Sequence, residues 1–119
     1  MALDLTPYRE GASRRREQEQ RARESWRLRI RARLPAVVEL LLANGASRVV
    51  LFGSLARGEA GEGSDVDLLV EGIPIGRLLL VQAEAERLIQ GTSVDLVPTE
   101  NARPAVLVRA LEEGEVLHG

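Results

Sequence analysis

Three aspartates interrupt short apolar segments that predict buried strands. Asp65 directly precedes the segment VDLLVE, Asp67 is the second residue of that segment, and Asp95 stands in the middle of SVDLV. Asp65 and Asp67 are two residues apart, so on a strand their side chains project to the same face. Neighbouring carboxylates repel and are costly to bury, and a hard cation such as Mg²⁺ would compensate them. If Asp95 lies on the adjacent strand, the three carboxylates suffice to hold two metal ions about 3.5–4 Å apart for phosphoryl or nucleotidyl transfer.

A Gly-Ser pair follows another predicted strand. Gly53-Ser54 comes directly after the apolar segment RVVLF, and ligands of open α/β sheets bind outside such strand ends. Glycine lets the backbone approach a phosphate closely, and serine offers a hydroxyl and an N–H. Alone, a Gly-Ser pair is more often a plain turn, and each aspartate alone is more often a satisfied residue of a turn or strand edge. Only the combination favours a metal and phosphate site.

The residue types that are absent exclude several kinds of catalysis. The 119-residue chain has no cysteine and no lysine, so all 16 basic residues are arginine. Thiol nucleophiles, a Walker-type lysine and lysine Schiff bases are therefore excluded. The single histidine, His118, cannot form a Ser-His-Asp triad with the predicted elements of one chain. Carboxylates, hydroxyls, arginines and backbone groups remain for chemistry.

The apolar pattern predicts a layered α/β domain that would position these residues. We expect irregular structure over 1–13 and a helix from Arg14 to about Asn44, with a stripe from Ala22 to Leu41 and a kink or short break at Pro35. Strands are predicted at 48–52, 66–71 and 93–97, and a short final strand is allowed at 115–118. A helical turn and loop are expected over 54–63, with helices at 77–90 and from 104 to about 113. Leu88 and Leu111 are predicted to face inward.

Charge divides the chain into two parts. Residues 1–33 hold ten arginines and five acids, a net charge of +5, whereas the remainder holds six arginines and thirteen acids, a net charge of −7. The basic segment could contact nucleic acid through a cluster of arginines, which comprises Arg14, Arg15, Arg16, Arg21 and Arg23. The interleaved acids, which allow i,i+4 ion pairs, and the apolar stripe favour instead a solvated helix that packs on the domain or on a partner chain. A long helix of this kind suggests partner contact or a homo-oligomer.

The spaced residues resemble the DNA polymerase beta-like nucleotidyltransferase superfamily. The resemblance rests on Phe52-Gly53-Ser54, a spacer of ten residues, Asp65-Val66-Asp67-Leu68 and the later Val94-Asp95-Leu96. The string LFGSLARGEAGEGSDVDLLVE is similar to the minimal nucleotidyltransferase (MNT) group within it. The resemblance extends from about residue 49 to the C-terminus. It implies a small mixed β-sheet of three to four strands flanked by helices over residues 34–119. Residues 1–33 lie outside the resemblance, and their charge and apolar pattern predict a basic N-terminal arm that forms a long helix.

The resemblance also implies an activity and a set of site residues. Asp65, Asp67 and Asp95 are the implied catalytic carboxylates and ligands of two Mg²⁺ ions. The implied nucleotide-binding residues are Gly53, Ser54, Arg57 and Ser64. An acceptor hydroxyl, which Asp95 helps to activate, would attack the α-phosphate of an NTP, expected to be ATP, and pyrophosphate would leave. Arg57 is equally consistent with a solvated helix residue.

The resemblance implies a protein partner as well. Related polymerases and tRNA-end transferases add large domains that grip nucleic acid, and a 119-residue chain leaves little room for them. In the MNT group the partner is typically a small helical HEPN toxin, and some members act as antitoxins by transferring AMP to it. Two alternatives stay open: an antitoxin that acts by contact alone, and a transferase for a small hydroxylated molecule. We do not expect nucleic acid or membranes as partners, and we expect a cytoplasmic location.

Overall fold

The computed structural model describes residues 6–119. The helices are α1 (Thr6–Ala43), α2 (Gly53–Ala56), α3 (Leu78–Ile89) and α4 (Pro104–Glu113), with short 3₁₀ helices at Ile75–Arg77 and Thr99–Asn101. The strands are β1 (Arg48–Phe52), β2 (Val66–Glu71), β3 (Val94–Pro98) and β4 (Glu115–His118). The order of helices and strands predicted from the sequence is confirmed, including the short final strand.

Helix α1 begins earlier than the sequence suggested. It starts at Thr6, so the expectation of irregular structure is wrong for residues 6–13, whereas residues 1–5 lie outside the described residues. Pro7 is compatible with this start, because the first turn of a helix does not use the missing N–H. The helix also continues through Pro35 without the break that the sequence allowed, since Leu34 and Val37 on either side are buried and hold it against the domain.

The C-terminus of α1 is where the sequence placed it. Gly45 has a φ of +106°, the left-handed conformation that commonly ends a helix. Its N–H donates to the carbonyl of Leu42, and the N–H of Ala46 donates to that of Leu41. These bonds satisfy carbonyls that the end of the helix leaves free and turn the chain into β1.

The four strands form one mixed sheet in the order β3-β2-β1-β4. β1 is antiparallel to both β2 and β4, whereas β2 and β3 are parallel. The register pairs Phe52 at the end of β1 with Asp67 near the start of β2, and pairs Asp67 in turn with Asp95 of β3. The C-terminal end of β1 and the N-terminal ends of β2 and β3 therefore lie side by side at the same end of the sheet.

The two faces of the sheet carry different side chains. One face packs against α1 and α3 and forms the larger core, which includes Trp26, Ile30, Leu34, Val37 and Leu41 of α1, Val81, Ala85 and Ile89 of α3, and alternate residues of β1, β2 and β3. The opposite face has a smaller cluster of Val50, Phe52, Leu69 and Ala110, covered by α4. No helix within residues 6–119 has the length and apolarity needed to cross a membrane.

Two leucines predicted to face inward are exposed. Leu88 is 41% exposed and Leu111 is 79% exposed. Helix α3 turns Val81, Ala85 and Ile89 towards the core, and Leu88 falls beside that stripe. Helix α4 meets the sheet with Ala110 and its partly buried neighbours, so Leu111 projects away from it. Ala22, the first residue of the predicted α1 stripe, is also exposed.

The C-terminal part of α1 is integrated into the domain. Trp26 and Ile30 lie in the main core, although they precede the boundary proposed between residues 33 and 34. Arginines on the same helix donate to backbone carbonyls of the domain: Arg27 to Ala60 at 3.0 Å, Arg31 to Leu55 at 3.3 Å, and Arg33 to Ile89 at 2.8 Å. The boundary at residue 33 stays a proposal, whereas the packing of α1 on the domain begins near Trp26.

Candidate active site

The pleat of the sheet brings the predicted aspartates to one face. Asp67 and Asp95 are register partners on the parallel strands β2 and β3, and such neighbouring strands are about 4.7–4.9 Å apart. Both alternate with residues of the main core, so they lie on the face that α4 covers. Asp65 lies one residue before β2 and two residues before Asp67, so the alternation of the strand places it on the same side as Asp67. Asp65 and Asp95 are exposed, whereas Asp67 is half-buried.

Asp67 lies in an environment that disfavours its negative charge. Burial above all, and then the nearby carboxylates of Asp95 and Asp65, raise its pKa to about 6, while Arg109 and Arg57 oppose the shift. A carboxyl with this combination of burial and like charge is typical of functional sites. A divalent cation beside it would relieve the repulsion, so the hard oxygen donors present fit Mg²⁺.

The aspartates share a face of the sheet but do not by themselves form a complete metal-binding site. Among the described residues, no group of three His, Cys, Asp or Glu side chains is arranged so that it could hold a metal ion. Mg²⁺ is normally held by one or two carboxylates together with phosphate oxygens of a substrate. The arrangement of Asp67 and Asp95 is consistent with that division of ligands.

Gly53 is required by the aspartate that faces it. It is the first residue of α2 and has a φ of +77°, which favours glycine. A Cβ at this position would overlap the Oδ2 atom of Asp67. The missing side chain therefore lets the Asp67 carboxylate lie directly against the Gly-Ser turn. Ser54, the next residue, is partly exposed beside it.

Arg57 is held at the same turn by two acids. Its Nη1 donates to both carboxylate oxygens of Glu113, at 3.0 and 3.1 Å, and its Nε donates to Glu59 at 3.0 Å. The hydrogen bond to Glu59 contributes most to raising the pKa of Arg57, and the hydrogen bond to Glu113 contributes next. The guanidinium is thus ordered near the Gly53 turn rather than free in solvent.

Glu113 and Arg109, both on α4, belong to the site and were not predicted. Glu113 Oε1 also accepts a hydrogen bond from the Gly53 N–H at 3.1 Å. The bond from Arg57 lowers the pKa of Glu113, burial opposes this, and the Gly53 N–H lowers it further. The i,i+4 spacing of the two residues on one helix was a usable signal. It was obscured because Glu112 adjoins Glu113 and because nothing in the sequence places α4 over the aspartates.

Ser64 serves the loop before β2. Its Oγ accepts a hydrogen bond from the Gly61 N–H at 3.1 Å, and its carbonyl accepts one from the Thr92 hydroxyl. These bonds tie the loop to the start of β3 and help to align β2 with it. A contact between Ser64 and a nucleotide remains a prediction.

A mixed sheet with a Gly-Ser turn at the end of β1 and paired carboxylates on β2 and β3 defines a polymerase beta-like nucleotidyltransferase core. Residues 30–117 match the family described as "Nucleotidyltransferase domain". The chain belongs to this family and is an MNT-type nucleotidyltransferase. It is 35% identical over 80 residues, 65% of this chain and 85% of the relative, to the Methanocaldococcus jannaschii protein named "Putative protein adenylyltransferase MJ0435".

Solved structures agree with this assignment. A structure described as a "putative minimal nucleotidyltransferase" is 39% identical, with a TM-score of 0.63 over 71% of this chain and 89% of the other. A toxin–antitoxin structure with AMP-PNP has a TM-score of 0.64 at 23% identity, covering 70% of each chain. A complex of tri-AMPylated Shewanella oneidensis HEPN toxin with MNT antitoxin gives 0.61 at 19% identity, over 76% of this chain and 72% of that one. The last two likenesses show the fold alone.

Proposed function

We propose that this protein is a Mg²⁺-dependent enzyme that transfers AMP from ATP to a hydroxyl group of a partner protein. The observation that carries the proposal is the pairing of Asp67 with Asp95 beside the Gly53-Ser54 turn. This arrangement offers oxygen ligands next to backbone and hydroxyl donors at a strand end, the requirements for placing a metal-bound triphosphate. The relative named as a protein adenylyltransferase supports the choice of a protein acceptor.

Each predicted site residue has a proposed part in this reaction. Asp65, Asp67 and Asp95 would hold two Mg²⁺ ions, which when bound supply positive charge to the triphosphate and to the departing pyrophosphate. Backbone and hydroxyl donors of the Gly-Ser turn would bind phosphate oxygens. Arg57 would add positive charge, and Ser64 would border the nucleotide.

The transfer itself needs one proton acceptor from the chain. The acceptor hydroxyl oxygen forms a bond to the α-phosphorus, and the bond from that phosphorus to the bridging oxygen of pyrophosphate breaks. The hydroxyl proton passes to the carboxylate of Asp95, which is the more exposed of the two paired aspartates. Its place on the edge strand β3 leaves it accessible to a hydroxyl delivered by a large partner.

The partner we propose is a helical HEPN-type protein, with the pair acting as a toxin–antitoxin module. The folds of MNT proteins that occur in HEPN complexes support this choice. The N-terminal part of α1 offers a surface for the contact, because residues 13–25 are exposed. A second copy of this chain is the other proposed occupant, and a cytoplasmic location follows from the need for ATP. Residues 1–33 would then be the assembly arm and residues 34–119 the catalytic domain.

The test is incubation of the purified chain with α-³²P-labelled ATP, Mg²⁺ and a purified HEPN-type protein. Label should appear on the partner and should depend on Mg²⁺. The controls are Asp95→Asn, which should abolish labelling, and Glu39→Gln, a change of an exposed acid on the α1 side of the sheet, which should not. Neutralisation of the partner without any label would support an antitoxin that acts by contact and would refute the transferase proposal. Label on a small hydroxylated molecule instead would refute the protein acceptor.

A further inference from the structure

Glu113 occupies the donors that the proposed function assigns to phosphate. Its carboxylate accepts the Gly53 N–H at 3.1 Å and the Arg57 Nη1–H at 3.0 Å. A carboxylate held between a turn N–H and a guanidinium makes the same kind of contacts as a phosphate oxygen. The Glu113 side chain is only 20% exposed, so this contact is part of the packed structure.

The end of α4 fixes this position. Glu113 is the last residue of the helix, and Gly114 follows it with its N–H donated to the Ala110 carbonyl. A Cβ at Gly114 would overlap that carbonyl and would lie 2.7 Å from Val50 Cγ1. The glycine therefore lets the helix end lie directly on β1, which brings Glu113 over the turn that follows this strand.

A triphosphate and Glu113 cannot use these donors together. The Gly53 N–H has one hydrogen, and it already has an acceptor at good distance. Arg57 donates to Glu113 through Nη1 and to Glu59 through Nε. A phosphate that approaches Arg57 from the Gly53 turn would therefore meet the Glu113 carboxylate. Glu113 carries a negative charge at neutral pH, and the hydrogen bond from Arg57 lowers its pKa below the usual value, so it would repel a phosphate that approaches the same donors.

We propose that Glu113 determines nucleotide affinity as an internal competitor: it occupies the Gly53 N–H and Arg57, and the triphosphate binds only when this carboxylate is displaced. The inference rests on the proposed function in one respect, that these donors bind phosphate.

The experiment compares Glu113→Gln with the matched control Glu112→Gln. Both variants remove one negative charge from adjacent residues, but Glu112 is exposed on α4. Binding of inorganic tripolyphosphate with Mg²⁺ is measured by calorimetry. Glu113→Gln should bind about tenfold more tightly than the unaltered chain, because the Coulomb repulsion at hydrogen-bond distance is removed, and Glu112→Gln should bind as the unaltered chain does.

Three results would overturn the proposal: unchanged or weaker binding by Glu113→Gln, an equal gain in both variants, and no binding by any chain. A gain in affinity cannot arise from damage to the fold. If Glu113→Gln does not fold, Glu113→Asp is the second variant. It keeps the charge on a side chain one methylene shorter and should also bind tripolyphosphate more tightly than the unaltered chain; no gain would overturn the proposal.

The same chains separate this inference from the proposed function. Transfer of label from α-³²P-ATP to the partner is assayed in parallel with tripolyphosphate binding. A gain in tripolyphosphate affinity without transfer by any chain would refute the transferase and leave the competing carboxylate established. Transfer by the unaltered chain with no gain in affinity for Glu113→Gln would refute the competing carboxylate alone.

Discussion

The two faces of the sheet perform different tasks with the same strands. On the face towards α1 and α3, β2 contributes Val66, Leu68 and Val70, each at most 1% exposed. On the face towards α4, the same strand contributes Asp67, half-buried beside Asp95 and the Gly53 turn. Because strand side chains alternate, a carboxylate can stand between two core residues without entering the core.

The difference shows how a small domain can support a costly cluster of like charges. The apolar face stabilises the strands, so it can offset the repulsion that the aspartates add on the other face. The α4 face has fewer buried apolar residues and is lined by Arg57, Arg109 and Glu113 near the aspartates. Substitutions on the two faces should therefore affect different measurements.

The largest expected effect is the loss of transfer in Asp67→Asn. The change keeps the size of the side chain and removes one proposed metal ligand and one negative charge, so transfer should fall by at least about 10²–10³-fold, the scale seen when one charge-stabilising group is removed. The free energy of unfolding in EDTA should stay the same or rise, because burial and neighbouring acids disfavour the charge. Labelling with α-³²P-ATP and thermal unfolding measure the two effects. Retained transfer with a clearly lower melting temperature would show that Asp67 is structural.

A substitution of Leu68, the residue next to Asp67, should have the opposite effect on stability and transfer. Leu68 is fully buried on the other face, so Leu68→Ala should lower the free energy of unfolding by about 2–5 kcal/mol. Transfer per folded molecule should change little, because the backbone that carries Asp67 is kept. Denaturant unfolding and labelling well below the melting temperature are the measurements. A loss of transfer in the fully folded variant, as large as in Asp67→Asn, would mean that the two faces are not independent.

The sequence was informative where local pattern decides the structure. Alternation and spacing were enough to predict β1 and β2 and to place Asp67 near the start of β2, because strand periodicity is a local property. The α4 side of the site was not predictable, since the contact between Glu113 and Gly53 joins residues 60 positions apart. Leu111 was misplaced for a related reason. Its helix buries a narrow stripe around Ala110 against one sheet face, and the width of that stripe depends on tertiary packing.

A smaller effect is expected in the pH dependence of stability. The pKa of Asp67 is raised from 3.8 to about 6 by burial and by Asp95 and Asp65, against Arg109 and Arg57. A raised carboxyl pKa favours the folded state below the unfolded pKa, and this contribution is lost as the pH rises through the folded pKa. In EDTA, the melting temperature of Asp67→Asn minus that of the unaltered chain should be small at pH 4 and reach a few degrees at pH 7.

Comparison with a second variant isolates this effect from the other acids. Asp65 is exposed and one residue before β2, so Asp65→Asn should give a smaller difference over the same range. A difference for Asp67→Asn that stays constant from pH 4 to pH 7 would contradict the perturbed pKa.

The smallest expected effect on the fold comes from removing residues 1–20. Residues 13–20 are exposed, whereas Arg23 lies against Gly61 and Trp26 is 5% exposed in the core, so the cut is placed before Arg23. Substitutions of exposed residues away from such contacts usually change stability by about 0.5 kcal/mol or less each, so the free energy of unfolding should change far less than in a core variant. As a control on the same helix, Trp26→Ala should cost about 3–5 kcal/mol.

The removal of residues 1–20 should change the assembly of the protein rather than its stability. We proposed that the exposed part of α1 contacts a partner chain, so light scattering should show a lower mass for the truncated protein or for its complex with the HEPN protein. Binding of tripolyphosphate with Mg²⁺ should be unaffected, because the aspartates lie on the sheet face away from α1. An unchanged mass together with unchanged partner affinity would remove α1 as the contact surface. A large loss of stability would instead show that the N-terminal half of α1 supports the domain as its C-terminal half does.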